Sequence, residues 1–402
     1  MKVAQINATC DIGSTGKICK DLSRFLSNNS VNNILFYSEG AGTLAESKRY
    51  SNTFIRKAAT IYSKITGRYG FENCLETKRL ISCLKKYNPD IVHLRNVHNH
   101  TFNLKQFFRY AHKANFKIVW SFDDCWPMTG LCTHFDYINC KKWQNHCHSC
   151  PLYKEYSFFI DSSKKNHLEK IEIYKDIDFT IIVPSCWMES VVKQSCLSSK
   201  KVFKLNYGLD LDIFKPLSID LKTKYGLPRD SIVLLFVAYN YTEKKGVLDF
   251  LKITELASKD KNIYIFVVGN ISSSYLINNE NVKIIHRTSN QFELCELYNL
   301  ADVYVNTTKE ETFGMTNLES IACCTPVVTY NSGGSPEILE KTKCGVVVQK
   351  NDYETLYLKA LEMASKKQFL KPDCLQLAQE YDVKKSYLKY LNLYEKIING
   401  GA

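Results

Sequence analysis

The sequence predicts an α/β protein that contains two doubly wound parallel sheets, one in each half of the chain. Short apolar segments alternate with helical patterns throughout, and the alternation stops and restarts once near the middle. The chain has 402 residues, which is more than one hydrophobic core usually supports. A loop-like stretch at residues 204–216 ends in a proline and separates the halves. We therefore expect domains at residues 1–200 and 201–385, and a last helix within residues 386–402 that packs back on the first domain.

The first half begins with a strand and a glycine loop. The loop contains Gly13 and Gly16, and a helix is expected from about Lys17 because apolar residues follow at helical spacing. A second helix over about residues 77–86 ends before Pro89, which cannot continue it. The strands expected in this half are residues 3–6, 33–37, 91–94, 116–122 and 179–183.

The second half repeats the alternation with strands of similar length, so it predicts a second sheet of similar size. A last helix over about residues 384–398 carries Tyr387, Leu391 and Tyr394 at helical spacing. The strands expected in this half are residues 231–238, 262–268, 282–286, 303–305 and 326–329.

The most informative segment follows the strand at residues 303–305. Glu311 precedes Phe313 and Gly314, and a second carboxylate, Glu319, comes eight positions after the first. A strand–loop–helix unit presents free backbone N–H groups and the positive end of a helix dipole, which together bind anions. Because a carboxylate beside such a site accepts hydrogen bonds from hydroxyls, the pattern indicates a ligand in which a sugar is linked to phosphate.

The two glutamates also suggest the acid and the base of a glycosidase, but their spacing argues against it. If the segment between them is largely helical, eight residues span roughly 12 Å. The carboxyl pairs of glycosidases lie roughly 5 to 9.5 Å apart. Glu311 and Glu319 are therefore expected to hold two ends of one elongated ligand.

Composition and charge indicate a cytoplasmic globular protein with an anionic partner. Apolar residues make up 45% of the chain, and the first residues are typical of a strand rather than a signal peptide. No run of about 18 apolar residues occurs. The formal net charge of +12 suits a nucleotide, a nucleic acid or an acidic membrane surface. The 16 cysteines are not expected to form disulfides in a reducing compartment.

Four cysteines lie close together in a loop-rich part of the first half: Cys132, Cys140, Cys147 and Cys150. The two-residue gap between Cys147 and Cys150 lets two thiolates meet one tetrahedral zinc ion. A metal would also help to order such a loop. A structural zinc site, buried thiols without a metal and a redox role all remain open from the sequence.

Together these segments resemble a retaining glycosyltransferase of family 4 with the GT-B fold, in which two Rossmann-like domains face each other across a cleft. Within that family the sequence is similar to bacterial enzymes that build capsule, O-antigen or exopolysaccharide. The resemblance covers nearly the whole chain, and the segment from Glu311 to Glu319 is its most specific part. The segments that carry it are residues 13–16, 87–93, 120–130, 140–143, 183–185, 243–246, 287–291, 311–319 and 333–337.

The resemblance implies a UDP- or GDP-linked sugar donor in the C-terminal domain and a glycan acceptor on the N-terminal domain. Glu311 would hydrogen-bond the hydroxyls of the donor sugar, and Glu319 would hold the ribose. The Lys245 ammonium would lie against the diphosphate and stabilise its departing charge. The other donor-binding residues implied by the family pattern are Gly13, Gly16, Arg287, Gly314, Met315 and Thr316.

Three segments of the chain depart from the family pattern. Asp123 stands where the family usually has a histidine that contacts the donor sugar. It is expected to accept a sugar hydroxyl, although its charge would oppose the departing diphosphate. Tyr239 and Asn240 occupy the stretch where an arginine often precedes the lysine, and residues 206–208 replace the usual Pro-Asn-Gly. The catalytic candidates are therefore Lys245, Glu311 and Asp123.

The implied reaction transfers a hexose or a related sugar with retention of the anomeric configuration. The donor phosphate is the expected proton acceptor, because no second carboxylate is placed to act as a nucleophile. No divalent metal should be required, since Lys245 and the helix N-terminus already neutralise the diphosphate. The acceptor is expected to be a glycan or a glycan linked to a polyprenyl diphosphate, reached from the cytoplasm at the inner face of the cell membrane.

Two other functions stay open. A sugar-nucleotide epimerase with the same fold would need acids on both faces of the sugar, which the sequence does not supply. A non-enzymatic nucleic-acid binder would leave Glu311, Glu319 and Lys245 unexplained, so no nucleic-acid partner is expected. Basic residues mixed with aromatic ones also suit an amphipathic surface that rests on an anionic membrane. These residues are Arg56, Lys57, Tyr62, Lys64, Arg68 and Tyr69, and also Phe107, Phe108, Arg109 and Tyr110.

Overall fold

The computed structural model describes residues 1–275, 279–340 and 342–400. The chain divides into two compact units. Unit 1 consists of Met1–Leu205 and Tyr387–Ala402, and unit 2 of Asn206–Ser386. Each unit is organised around one sheet in which every strand pairing is parallel.

Unit 1 contains a seven-stranded sheet with the order β3-β2-β1-β4-β5-β6-β7. The order reverses direction between β1 and β4, and ligands of such sheets bind at the carboxyl ends of the strands on either side of a reversal. The strands are β1 (Lys2–Thr9), β2 (Asn32–Glu39), β3 (Ser47–Arg49), β4 (Ile91–Leu94), β5 (Lys117–Ser121), β6 (Thr180–Val183) and β7 (Lys201–Lys204). Its helices are α1 (Gly13–Asn28), α2 (Thr53–Thr66), α3 (Cys74–Tyr87), α4 (Leu104–Ala111), α5 (Tyr153–Tyr156), α6 (Ser163–Lys175) and α7 (Cys186–Lys193).

Unit 2 contains a six-stranded sheet with the order β10-β9-β8-β11-β12-β13, which reverses between β8 and β11. The strands are β8 (Ile232–Asn240), β9 (Ile263–Asn270), β10 (Val282–Ile285), β11 (Val303–Asn306), β12 (Val327–Tyr330) and β13 (Gly345–Val348). The remaining helices of the chain are α8 (Leu221–Lys224), α9 (Val247–Ala257), α10 (Gln291–Leu300), α11 (Met315–Ala322), α12 (Tyr353–Ala364), α13 (Lys371–Glu380) and α14 (Val383–Ile398).

The last helix, α14, begins in unit 2 and belongs to unit 1 from Tyr387 onward. Its buried Tyr394 hydroxyl hydrogen-bonds His93 Nδ1 on β4 at 2.6 Å, and the other ring nitrogen of His93 hydrogen-bonds Ser121 Oγ at 2.8 Å. Burial holds the pKa of His93 well below its ordinary value, so the imidazole is neutral. Residues 401 and 402 of the predicted C-terminal segment lie outside the described residues.

The predicted α/β class with two Rossmann-like parallel sheets is confirmed. The structure differs from the prediction in three edge strands and in the start of one helix. The sequence pattern missed β3, β7 and β13, which are edge strands. Strands β3 and β7 are short and contain charged residues, so their signal is weak, whereas the apolar run of β13 was overlooked. Helix α1 begins at Gly13 rather than near Lys17, which makes the predicted glycine loop the first turn of the helix. A Cβ at Gly16 would approach Thr9 Oγ1 to 2.9 Å, so a larger residue there would require the Thr9 side chain to move.

Among the residues that the structure describes, no helix combines the length and the apolar run that a membrane crossing needs.

Candidate active site

Two loops of unit 2 meet at the reversal of its sheet, one after β8 and one after β11. The β8 loop contains a short 3-10 turn, Glu243–Lys245, and ends at Gly246. The Thr307 hydroxyl donates to the Lys245 carbonyl at 2.9 Å, and the Lys309 N–H donates to the Lys244 carbonyl at 2.8 Å. Gly246 has φ +71, and a Cβ there would lie 2.0 Å from the Thr307 carbonyl oxygen. The close approach of the two loops therefore requires glycine at this position.

The side chains of the two loops form one ion pair. Lys245 Nζ lies 3.0 Å from Glu311 Oε2, and the two side chains are 29% and 23% exposed. An ammonium has three N–H donors, so Lys245 keeps donors for a ligand while it contacts Glu311. The structure thus brings together two of the three predicted catalytic residues, which are 66 positions apart in the sequence.

The second glycine turn supports the backbone of Glu311. The Gly334 N–H donates to the Glu311 carbonyl at 2.8 Å. Gly333 has φ +54, and a Cβ on it would lie 1.8 Å from the same carbonyl oxygen. The two glycines therefore let this turn close against the residue that carries the carboxylate, which explains why a second glycine turn follows the first.

Helix α11 begins directly behind this carboxylate. Gly314 precedes it with φ +98, in the left-handed region, and Met315 is its first residue. The helix has no side-chain cap and no acidic residue in its first turn, so its N-terminal N–H groups and dipole favour an anion. The predicted phosphate-binding residues Gly314, Met315 and Thr316 thus adjoin Glu311 in one loop and helix start.

Glu319 lies one turn further along α11. The Tyr298 hydroxyl on α10 donates to Glu319 Oε2 at 3.0 Å. Tyr298 is fully buried, and burial together with the Glu319 charge raises its pKa well above the ordinary value. The phenol therefore stays protonated and holds one carboxylate oxygen, leaving the orientation of Glu319 fixed before any ligand binds.

A known protein family matches the part of the chain that contains these side chains. Residues 219–373, which include every unit 2 side chain described above, match the family described as Glycosyl transferases group 1. Residues 219–373 are a glycosyltransferase domain. For these residues, the finding confirms the glycosyltransferase family that the sequence resembles.

The similarity to relatives of the glycosyltransferase extends beyond this domain. The chain is 21% identical over 384 residues to the "Putative colanic acid biosynthesis glycosyl transferase WcaC" of Escherichia coli (strain K12), with 90% of this chain and 91% of the relative covered. It is 25% identical over 204 residues to the "Capsular polysaccharide biosynthesis glycosyltransferase CapM" of Staphylococcus aureus, covering 47% of this chain and 52% of the relative.

A solved structure shares the fold of the glycosyltransferase. Anabaena Alr3699/HepE in complex with UDP superimposes with a TM-score of 0.71 at 14% identity, and the match covers 98% of this chain and 100% of that one. The same Anabaena protein in complex with UDP-glucose gives a TM-score of 0.68 at 13% identity, covering 98% and 100% of the two chains. The GT-B-type fold predicted from the sequence is therefore confirmed.

The other predicted donor residue of the glycosyltransferase domain is Arg287. It is exposed and follows the edge strand β10, which β9 separates from β8. Among the described residues, the hydrogen-bonded group around Glu311 does not include it. Its expected contact with the base stays a prediction.

The remaining predicted residues of the glycosyltransferase lie in unit 1, at the carboxyl ends of its central strands. Gly13 and Gly16 follow β1, and Asp123 follows β5. Asp123 Oδ1 accepts from Arg95 Nη1 at 2.9 Å, with 9% of the Asp123 side chain and 1% of the Arg95 side chain exposed. A second guanidinium nitrogen, Arg95 Nη2, donates to the Tyr390 hydroxyl at 3.2 Å. The Asp123 charge is thus balanced by a buried arginine that the sequence reasoning missed.

Asp124 is part of a separate hydrogen-bonded group in unit 1. Its carboxylate lies 2.6 Å from His98 Nε2 and accepts from the Trp126 N–H at 2.8 Å. The other nitrogen of His98 hydrogen-bonds the Tyr69 hydroxyl at 2.9 Å. Burial opposes ionisation of Asp124, but the His98 contact outweighs it and lowers the pKa of this carboxyl.

The four clustered cysteines surround one small cavity in unit 1 together with Trp143. Cys147 Sγ accepts from the Gly130 N–H at 3.3 Å, and burial raises the pKa of this thiol to about 12. The hydrogen bond to Cys150 is the largest of the effects that raise the pKa of Cys132 well above its ordinary value, and burial is the next. The same hydrogen bond outweighs burial and lowers the pKa of Cys150.

Within the described residues, no three His, Cys, Asp or Glu side chains are arranged to hold a metal ion. The structure therefore does not support the zinc site predicted from Cys132, Cys140, Cys147 and Cys150. Of the four thiols, Cys132 and Cys147 are buried, and Cys140 and Cys150 are half-buried.

Buried amides and hydroxyls also shape the glycosyltransferase domain, and the sequence analysis did not identify them. Asn306 Nδ2 donates to Asn317 Oδ1 at 2.8 Å, and Asn306 Oδ1 accepts from the Thr308 N–H at 3.0 Å. The Ser332 hydroxyl donates to the Thr308 carbonyl at 2.7 Å. These contacts tie the loop before Glu311 to α11 and to the second glycine turn, so one rigid group carries both glutamates.

Proposed function

We propose that the protein transfers a hexose or a related sugar from a nucleoside diphosphate donor to a glycan, with retention of the anomeric configuration. The single observation that carries the proposal is the Lys245–Glu311 pair beside the uncapped N-terminus of α11. A cation and a helix N-terminus suit a diphosphate, and a carboxylate next to them suits sugar hydroxyls.

In this proposal each side chain has a separate task. The N–H groups around Gly314 and Met315 bind the diphosphate, and Lys245 donates to it as negative charge grows on the departing oxygen. Glu311 accepts from the donor sugar, and Glu319 accepts from the ribose while Tyr298 holds its other oxygen. A donor phosphate oxygen takes the proton of the acceptor hydroxyl as the new glycosidic bond forms on the same face of the sugar.

The donor and the acceptor follow from the relatives and from the charge of the site. UDP and UDP-glucose bind the Anabaena protein of similar fold, which supports a uridine nucleotide, with GDP as the alternative. The relatives named for colanic acid and capsular polysaccharide support a growing bacterial surface polysaccharide as the acceptor. We propose that this acceptor is linked to a polyprenyl diphosphate and is met at the inner face of the cell membrane, and that the reaction needs no divalent metal.

A donor screen tests the proposal. The purified chain is incubated with a panel of UDP- and GDP-sugars, and the shift of its melting temperature is compared with that of Glu319→Gln and of a control, Glu255→Gln, an exposed glutamate on α9. One donor should stabilise the wild type and the control but much less the Glu319 variant. Equal shifts in all three proteins would contradict the site. Conversion of the donor sugar without any acceptor would favour an epimerase instead.

A further inference from the structure

Helix α2 of unit 1 exposes its large apolar side chains to solvent, whereas a helix that packs on a core buries them. Phe54 is 82% exposed, Ile61 62%, Tyr62 53% and Ile65 46%. These residues recur at helical spacing and form one face of the helix. The buried residues of α2 are small, Ala59 and Ser63. A helix that faced only its own unit and water would have the opposite pattern.

A neighbouring segment extends this apolar face. Phe158 is 61% exposed, Phe159 74% and Ile160 49%. The Phe158 N–H donates to the Lys64 carbonyl at 2.7 Å, and the Ser157 hydroxyl donates to the same oxygen at 3.1 Å. The segment is therefore fixed against the C-terminal turn of α2. We call the combined surface the apolar stripe; it consists of Phe54, Ile61, Tyr62, Ile65, Phe158, Phe159 and Ile160.

Positive charge is concentrated in the unit that carries the apolar stripe. Unit 1 contains 32 Lys and Arg against 18 Asp and Glu, a formal net charge of +14, whereas unit 2 contains 21 against 23. Helix α2 itself has three basic residues and no acidic one. Helix α3 contacts both α2 and α4, and a groove between α3 and α4 adds four more cations to unit 1. These cations are Lys78, Lys85, Arg109 and Lys113.

We propose that the apolar stripe docks unit 1 on a lipid bilayer with anionic headgroups. Aromatic and aliphatic side chains of an interfacial helix enter the headgroup–acyl boundary, and flanking lysines contact the phosphates. Lys57, exposed on the same face of α2, suits that position. The proposal rests on the proposed function in one respect, since a lipid-linked acceptor gives the enzyme a reason to reach the membrane.

A second copy of the chain fits the apolar stripe less well than a bilayer does. Two units of net charge +14 repel each other, while an anionic surface attracts both. The structure also places fewer aromatic residues on the surface than the sequence predicted. Phe107 and Phe108 of α4 are fully buried, and Tyr69 is 7% exposed, so these aromatic residues belong to the core of unit 1.

Vesicle flotation tests this proposal. The full chain is mixed with vesicles of phosphatidylcholine alone or with added phosphatidylglycerol, at low and high salt. We expect the wild type to float with the anionic vesicles and to be released by salt. The triple variant Phe54→Ser, Ile61→Ser, Phe159→Ser should bind them at least about tenfold more weakly. The matched control, Phe292→Ser with Leu358→Ser, removes apolar residues that are 61% and 64% exposed in unit 2 and should bind like the wild type.

Equal vesicle binding by the triple variant and the wild type would overturn the proposal, as would no binding by the wild type. A wild-type dimer in gel filtration that the triple variant abolishes, without vesicle binding, would assign the stripe to a second copy. The charge variant Lys57→Glu, a single exposed substitution, should also weaken binding. Donor-induced shifts of the melting temperature, measured on the same preparations, separate the two proposals. If the wild type showed no such shift, the proposed function would be contradicted, while the vesicle result would still stand.

Discussion

At the scale of single residues, the site uses pairs in which each partner holds the other in place. Lys245 and Glu311 form an ion pair at 3.0 Å, and Tyr298 holds Glu319 at 3.0 Å. A ligand that binds Lys245 through phosphate and Glu311 through sugar hydroxyls finds both side chains already positioned. Preorganised groups of this kind contribute most where charge develops in the transition state.

The two glutamates should therefore differ in their kinetic effects. Glu311→Gln should lower kcat strongly, by about 2–4 kcal/mol in transition-state free energy, because Glu311 is proposed to face the reacting sugar. Glu319→Gln should mainly raise the donor KM, because the proposed ribose contact would be the same in ground and transition states. Steady-state kinetics with varied donor concentration checks both, with Glu255→Gln as the control. If the two phenotypes were exchanged, the proposed placement of the sugar would be wrong.

Asp123 should behave as a structural residue as well as a candidate catalytic one. Asp123→Asn leaves the Arg95 guanidinium, which is 1% exposed, without its carboxylate. Removing one partner of a buried ion pair typically costs about 3–5 kcal/mol of unfolding free energy. Denaturant unfolding of the variant measures this loss. The double variant Asp123→Leu, Arg95→Met should lose less than Asp123→Asn does, and an undiminished stability of Asp123→Asn would contradict the pairing.

At the scale of elements, two neighbouring helices contribute to the proposed donor site. Helix α11 carries Glu319 and begins at the proposed phosphate site, while α10 supplies Tyr298 from a position 21 residues earlier. The buried contact between Asn306 and Asn317 ties α11 to the end of β11 as well. The position of α11 thus depends on side chains of the elements beside it.

Tyr298→Phe tests this dependence on α10. The variant keeps the buried ring but removes the hydrogen bond to Glu319, which is worth about 1.5–3 kcal/mol when the acceptor is charged. We expect the donor KM to rise about tenfold or more with kcat little changed. Tyr353→Phe on α12, whose hydroxyl makes a 3.4 Å contact to Glu354, is the matched control. A fall in kcat at unchanged KM would show that Tyr298 acts on chemistry rather than on ribose binding.

Sequence reasoning identified the strands and the candidate site residues whose signal is local. The central strands were predicted because buried parallel strands are short apolar runs, and Glu311 and Glu319 because glycine turns surround them. Arg95 was missed since its partner is 28 residues away and nothing near it marks the pairing. One signal was available: Arg95 follows β4 and Asp123 follows β5, and the ends of adjacent parallel strands meet.

At the scale of the whole molecule, the core of unit 1 contains a buried lysine. In the described part of the chain its hydrogen-bond partners are backbone carbonyls and include no carboxylate. Lys170 Nζ on α6 donates to the Trp126 carbonyl at 2.6 Å and the Thr129 carbonyl at 2.9 Å. The ammonium also lies 3.5 Å from the centroid of the Trp126 ring. Lys170 is fully buried, and burial lowers its pKa to about 7.

This buried lysine should make stability depend on pH. The unfolded chain keeps the Lys170 proton up to about pH 10, whereas the folded chain releases it near pH 7. Between these values the unfolded state binds more protons, so stability rises with pH. The wild type should therefore gain unfolding free energy relative to Lys170→Met from pH 7 to pH 9. Urea unfolding of both proteins at both pH values measures the difference, and a constant difference would show that Lys170 stays charged.

The path of α14 through both units limits how this protein can be recombined. A fragment that ends at Leu205 would lack Tyr390 and Tyr394, and Arg95 and His93 would lose partners inside unit 1. An exchange of donor specificity between relatives therefore needs two crossovers, one near residue 205 and one near residue 386. A gene that acquired only the 3′ half of a relative would inherit a mismatched terminal helix along with the new domain. We therefore expect unit 2 to be exchangeable as an internal segment but not as a C-terminal fusion.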